Sequence, residues 1–398
     1  MSTKKLAVDG GTPVRDTPLP YGRHDVSEED VAAVTAAMRD PLLTRGPKVR
    51  TFEEAVAEKV GAKYGVAYTS GTAALDGAAF AGGLAPGKRL VTPTITFAAS
   101  ANMGFYHQSE VALADLDPAT WNLSPDDPEL VVKPAMITAV DFAGLPANVA
   151  ALRARAPESV LVRDAAHSLG ALDQGEPVGA CSHVDMACFS FHPVKVVTSL
   201  EGGVVTTNDE VLRDRLRRFR DHGMERDKSK MTRVDGPWYF EQQELGRNYR
   251  ITDVQAALGL SQLARLDEYV ARRNEHAAWY REHLPTDFVE LPPAAPEGSR
   301  HAYHIFPVLV RADKLRVTRK EVFEALLAEK IGVQVHYLPL HRQPYHSAHV
   351  VDARPERFPV AEDYYARCMT LPLFPAMEPQ GRQDVVEALG KVFEAYAA

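Results

Sequence analysis

Cysteine is scarce in this chain: three residues in 398, at Cys181, Cys188 and Cys368. The number is odd and no pair stands at C-x-x-C spacing, so neither a disulfide framework nor a thiolate metal site is expected. Reduced thiols of a cytoplasmic protein are the expectation instead. Long apolar runs are also missing. No stretch approaches the roughly 20 residues that cross a bilayer, and Met1–Gly10 has a positive start without an apolar h-region. A soluble protein with no membrane partner is expected. Positive charge is not in excess either. The formal net charge is -8, and no polybasic run occurs, which argues against a nucleic-acid partner. Finally, no G-x-G-x-x-G follows a strand-like run, so a nicotinamide oxidoreductase is poorly supported.

What is present is ordinary globular sequence, 45% hydrophobic and 25% charged, long enough for more than one domain. Residues 1–24 carry Gly10-Gly11-Thr12-Pro13, Pro18 and Pro20 and read as an extended arm. Ser27-Glu28-Glu29-Asp30 ahead of Val31, Val34 and Met38 is a helix start. Phe52, Val56 and Val60 mark a second helix. From about residue 65, short apolar runs alternate with helical stretches: Val66–Tyr68, Arg89–Thr92, Val111–Ala114, Met136–Val140 and Val160–Val162, with helices such as Thr72–Gly82 and Ala147–Arg155 between them. Such βαβ alternation predicts an α/β fold with a mostly parallel sheet buried on both faces. Met186–Phe191 and Gly203–Thr207 are too close for a helical crossover, so that pair is expected to be antiparallel. One long helical stretch is expected from Asp253 to about His283. A smaller unit should follow, with strands at His304–Val310 and Gly332–Val335 and helices at Arg319–Glu329 and from Gln383. The expected division is an arm at 1–24, a large domain at 25–270 and a small α+β domain at 271–398.

Four segments carry chemistry. Phe189-Ser190-Phe191-His192-Pro193-Val194-Lys195 puts a lysine in a short loop beyond a buried strand. A lone lysine is more often a solvated surface charge. Tyr68-Thr69-Ser70-Gly71-Thr72 ends a strand and opens an Ala-rich helix. Its free N–H groups can cradle a phosphate, or the serine can be a plain N-cap. Asp164, ending the strand Val160–Val162, points toward the crevice where α/β sheets bind ligands. There it can face a pyridine nitrogen or merely be solvated. His167 can flank a cofactor ring or pack. Phe97, in Thr94–Asn102, can offer a flat face to a ring or fill the core.

Taken in order, these segments resemble the DegT/DnrJ/EryC1/StrS sugar aminotransferases, fold-type I enzymes that use pyridoxal 5'-phosphate (PLP). The resemblance covers nearly the whole chain. It includes Leu43-Thr44-Arg45-Gly46-Pro47, Ser70-Gly71-Thr72, Val140-Asp141-Phe142-Ala143-Gly144, Asp164-Ala165-Ala166-His167, the Lys195 segment, Pro237–Gly246, Asn248-Tyr249-Arg250 and Gln334-Val335-His336-Tyr337. Within the family, the chain is similar to the aminotransferases that act on UDP-4-keto-6-deoxy amino sugars in pseudaminic acid biosynthesis.

The resemblance implies a seven-stranded, mostly parallel large-domain sheet and a set of roles. Lys195 would hold the cofactor as a Schiff base and Asp164 would face its ring nitrogen. Gly71, Thr72 and Ser190 would bind the phosphate, and Phe97 and His167 would flank the ring. Asn248 would reach the phosphate in a neighbouring subunit, making a homodimer with composite sites. Tyr21, Arg45, His336 and Tyr337 would line the substrate pocket. The implied substrates are an amino-acid donor, L-glutamate or L-glutamine, and a keto-sugar acceptor; no metal is implied. Three departures bear on the acceptor: Arg45 where many relatives carry Gln, Leu145 after Ala143-Gly144, and the opening Gly10–Arg15, which resembles cyclitol- and aminobenzoate-forming relatives. A keto-cyclitol acceptor is therefore the alternative. The family's sugar dehydratases carry His in place of the lysine, so Lys195 favours transamination. A catalytically idle scaffold is disfavoured by the intact Asp164 and Lys195.

Overall fold

The computed structural model describes residues 5–398; the first four residues of the expected arm lie outside the described residues. Seven strands form the main sheet: β1 (Tyr64–Tyr68), β2 (Arg89–Pro93), β3 (Glu110–Ala114), β4 (Met136–Val140), β5 (Val160–Asp164), β6 (Met186–Ser190) and β7 (Gly203–Thr207). Their order is β1-β7-β6-β5-β4-β2-β3. Strand β7 runs antiparallel to both neighbours, Ser190 lying opposite Gly203 and Tyr68 opposite Gly203 on the other side. The other pairings are parallel. The expected α/β fold-type I sheet and its antiparallel pair are both present.

Helices cover both faces, as the buried β-branched strands require. They are α1 (Glu28–Ala37), α2 (Pro47–Val60), α3 (Gly71–Ala81), α4 (Ala99–Tyr106), α5 (Val149–Arg155) and α6 (Glu210–Arg220). On one face the alanines of α3 pack with Val66, Leu90 and Val162. On the other, Phe52, Val56 and Val60 of α2 pack against Phe189 and Phe191. Helix α7 (Asp253–Leu263) and helix α8 (Leu266–His283) lead to a three-stranded antiparallel sheet of β8 (Val289–Glu290), β9 (Phe306–Val310) and β10 (Cys368–Leu371). Around it lie α9 (Arg319–Ala328), α10 (Pro344–His349), α11 (Pro359–Arg367) and α12 (Pro379–Tyr396). A second core of Phe306, Val308, Leu326, Leu389 and Phe393 holds this unit together.

Three expectations need correction. The stretch 253–283 is two helices, because Arg265 leaves helical geometry (φ -100°, ψ 5°) and its guanidinium pairs with the buried Asp30. Asp30 also accepts from Ser261 and Gln262, so α1 docks through a polar anchor. Its apolar residues Val31 and Met38 are exposed in the single chain, while Asp30 and Ala37 are buried. Gly332–Val335 is no strand. The arm takes its backbone partners instead: Leu19 N–H donates to Lys330 O and Gly332 N–H to Leu19 O, leaving one bridge between Gln334 and Thr370.

Candidate active site

The carboxyl ends of β4, β5 and β6 open onto a cavity of about 530 Å³. Asp164 is the last residue of β5 and is 6% exposed. Its carboxylate accepts from Ser100 Oγ at 2.7 Å and from the Ala166 N–H at 3.2 Å. Ser100 in turn shares a hydrogen bond with Thr96 Oγ1 at 2.8 Å. Burial pushes the Asp164 carboxyl up, against hydrogen bonds and the Lys195 amine that pull it down. On the opposite sheet face the preceding residue, Arg163, lies 3.4 Å from Asp141, which ends on the Ser168 hydroxyl and the Ala147 N–H. Burial raises the Asp141 carboxyl to about 6. This buried pair fixes the ends of β4 and β5 relative to the His167 turn.

Lys195 sits in the loop between β6 and β7. The loop is closed by its own backbone: Lys195 N–H donates to His192 O, Ser199 N–H to Phe191 O and Phe191 N–H to Gly202 O, all at 2.9 Å. Phe191, Val196 and Val197 anchor it in the core, so the lysine is held in the cavity that Asp164 also lines. Burial lowers the Lys195 amine to about 8, with Asp164 opposing. Desolvation disfavours the charged form, and the amine is thereby a base near neutral pH.

Ser70 caps α3, its Oγ accepting from the Ala73 N–H at 3.1 Å. That leaves the Gly71 and Thr72 amides at the cavity end of the helix, without intrahelical acceptors. A Cβ at Gly71 would stand 2.8 Å from Ser190 Cβ; glycine is needed for this close approach. Phe97 lines the cavity and is 60% exposed there. His167, Tyr337, His336 and Tyr21 complete the wall. Tyr337 Oη lies 3.3 Å from His167 Nε2, and the Tyr21 and His336 rings are 5.4 Å apart. The His167 Nδ1 is buried without a partner. Burial also lowers His336 to about 4 and holds His167 well below the ordinary histidine range, so both rings are neutral at physiological pH.

The cavity thus collects Tyr21, Gly71, Thr72, Phe97, Asp164, His167, Ser190, Lys195, His336 and Tyr337. It does not collect Arg45 or Asn248. Arg45 pairs with Asp221 at 3.2 Å, Asn248 bridges the backbone of Asp221, and Arg45 lines a separate groove with Arg226 and Arg250. Sequence reasoning missed two residues. Ser100 lies in the Thr94–Asn102 segment, one helical turn from Thr96, and its hydroxyl was the available signal. The sequence predicts a strand from His304, but β9 starts at Phe306. The His304 ring faces the cavity 4.3 Å from His167, held by the buried Arg273, which donates to the His304 and Tyr303 carbonyls.

These residues fit PLP. A helix start with an open glycine suits a phosphate. An exposed Phe97 face and the unpartnered His167 suit a flat aromatic ring. A buried carboxylate suits a protonated ring nitrogen, and a lysine that loses its proton near pH 8 suits an aldehyde carbon. The lysine makes a direct test possible. In cofactor-free protein, acylation of Lys195 should rise with a midpoint near pH 8, where fewer than about 1% of surface lysines are unprotonated. Competitive labelling read by peptide mass spectrometry measures this; a midpoint near that of the surface lysines would contradict the burial of the amine.

Comparison with known proteins agrees with this geometry. The DegT/DnrJ/EryC1/StrS aminotransferase family profile matches residues 24–390. The spore coat polysaccharide biosynthesis protein SpsC of Bacillus subtilis is 36% identical over 380 residues, 93% of this chain and 96% of that protein. Among solved structures, Helicobacter pylori PseC, an aminotransferase involved in pseudoaminic acid biosynthesis, superposes with a TM-score of 0.87 at 26% identity, covering 96% of this chain and 100% of that one. The PLP form of the sugar aminotransferase Spr1654 from Streptococcus pneumoniae, described as putative, gives 0.87 at 23% identity over 95% of this chain and 99% of that one, a likeness of fold alone.

Proposed function

Because the chain belongs to the DegT/DnrJ/EryC1/StrS aminotransferase family, whose members are PLP-dependent, we propose that it moves the amino group of L-glutamate or L-glutamine to a keto group of a nucleotide-linked deoxysugar. The observation that carries this reading is the pairing of Lys195 and Asp164 in one cavity, an amine pushed down to about 8 beside a buried carboxylate. When bound, PLP supplies the electron sink for the carbon that loses its proton.

The chain's own residues do the rest. The Gly71 and Thr72 amides and the Ser190 hydroxyl would hold the phosphate, and Phe97 and His167 would flank the ring. The Asp164 carboxylate, fixed by Ser100 and Ala166, would accept a hydrogen bond from the ring N–H and keep that nitrogen charged. Lys195 would tether the cofactor at rest. Its free amine would move the substrate proton as a general base, a role worth roughly 10²–10⁴-fold. Tyr21, His336 and Tyr337 form the wall that meets the substrate.

Asn248 and Arg45 fall outside their own cavity, and the exposed Val31, Met38, Trp238 and Leu245 offer apolar surface to a second copy. Both features support a homodimer in which Asn248 and Arg45 serve the neighbouring site. Mixing a Lys195→Ala subunit with an Asn248→Ala subunit should then regenerate one intact site per heterodimer and restore activity that neither homodimer has. A mixture as inactive as its parents, with heterodimers shown by native mass spectrometry, would remove the composite site.

The acceptor is tested by incubating the holoenzyme with L-glutamate or L-glutamine and a panel of UDP-linked 4-keto-6-deoxy sugars and keto-cyclitols. Amination of a nucleotide sugar, read by mass, is the expected result. Amination of cyclitols alone would select the reading suggested by the Gly10–Arg15 opening.

A further inference from the structure

A transaminase of this kind has a recognition problem that its cavity does not solve by itself. An amino-acid donor brings an α-carboxylate, which a cation, best an arginine, must hold. Among the described residues lining the cavity there is no arginine, and the one lysine is Lys195, already committed. The acceptor sharing the space has no carboxylate at its reacting end. An arginine buried in the cavity would be left desolvated and unpaired whenever that acceptor bound, at a large cost. The cation must therefore stand at the edge, hydrated when not in use.

Arg23 meets these conditions. It is exposed and follows Tyr21, which lines the cavity. Arg23 and Lys195 line one narrow cleft. The arm is pinned on both sides of it. The Tyr21 carbonyl accepts from the Leu373 N–H at 3.0 Å, and the Asp25 carbonyl accepts from Gln262 at 2.7 Å. Between these pins Gly22 is open, with no atom near enough to meet an added Cβ. Other arginines stand elsewhere: Arg45, Arg226 and Arg250 share Asp221 away from this subunit's own cavity, and the buried Arg273 donates to three backbone carbonyls. Among the described residues Arg23 has neither an ion pair nor a hydrogen bond, and the cleft it lines meets the cavity at Lys195.

We propose that Arg23 holds the α-carboxylate of the amino-acid donor from the edge of the cavity, and withdraws to solvent when the keto-sugar, whose reacting end bears no charge, takes its place. This inference rests on the aminotransferase reading above. It makes Arg23 a donor-specificity residue that does not act on the proton transfer.

The test is the donor half-reaction of the holoenzyme, followed through cofactor absorbance over a range of L-glutamate concentrations. Arg23→Gln should raise the apparent Kd for L-glutamate roughly 10- to 100-fold, as expected for losing a charge-assisted contact. The saturating rate should stay within about twofold, because Lys195 is untouched. Arg23→Lys should recover part of the loss, and glutarate, a carboxylate without the amine, should weaken as a competitor in Arg23→Gln. Cofactor content and Tm serve as folding controls, since Arg23 is exposed. An unchanged Kd in Arg23→Gln would overturn the proposal, as would a loss found only in Arg250→Gln, which would assign the carboxylate to a second copy. If the wild-type spectrum responds to neither L-glutamate nor L-glutamine, the donor assignment itself fails, a result distinct from either of these.

Discussion

Lys195→Ala should reduce turnover by about 10⁴-fold or more, the upper range of general base catalysis with the loss of covalent tethering added. The loop that carries the lysine is closed by backbone hydrogen bonds and by Phe191 and Val196, not by the amine, so the variant should fold. Lys195→Arg sharpens the test. It keeps a cation, but a guanidinium does not deprotonate in a protein, so it should be as inactive as alanine. Steady-state assays and single-turnover donor reactions measure both. Recovery of activity by arginine would mean that charge alone matters at this position.

Asp164→Asn should slow the donor half-reaction by roughly 10²–10³-fold, the scale of removing one preorganised electrostatic partner. The side chain keeps its shape and its place beside Ser100, so the variant should still bind PLP and remain coloured. What is lost is the negative charge. In the cofactor-free chain burial pushes this carboxyl up; a positive ring nitrogen opposite it favours ionisation. Asparagine gives the nitrogen no such reason to stay protonated. Stopped-flow absorbance with saturating donor measures the rate. A wild-type rate would reduce Asp164 to a strand-end residue.

Much of this was legible from the residues themselves. The main-sheet strands are short, apolar and β-branched, and local composition suffices to find them. Lys195, Asp164 and the Ser70-Gly71-Thr72 turn stand at strand ends, where an α/β sheet puts its ligands. What was not legible depends on partners distant in the chain. The break between α7 and α8 follows from Arg265 reaching Asp30, and nothing near Arg265 announces it. Gly332–Val335 has strand-like residues, but Leu19 of the arm takes its hydrogen bonds. His304 enters the cavity because Arg273 holds its carbonyl, a contact between a helix and a strand approach 31 residues apart. Periodicity reports which face of an element is apolar; it does not report which polar group reaches across to it.

The central claim is that PLP is joined to this protein through Lys195. Borohydride reduction of the coloured holoenzyme, followed by proteolysis and tandem mass spectrometry, tests it most directly. The account predicts one phosphopyridoxyl-modified peptide, with the modification on Lys195. Modification of a different lysine, or no reducible bond in protein that carries PLP, would contradict it.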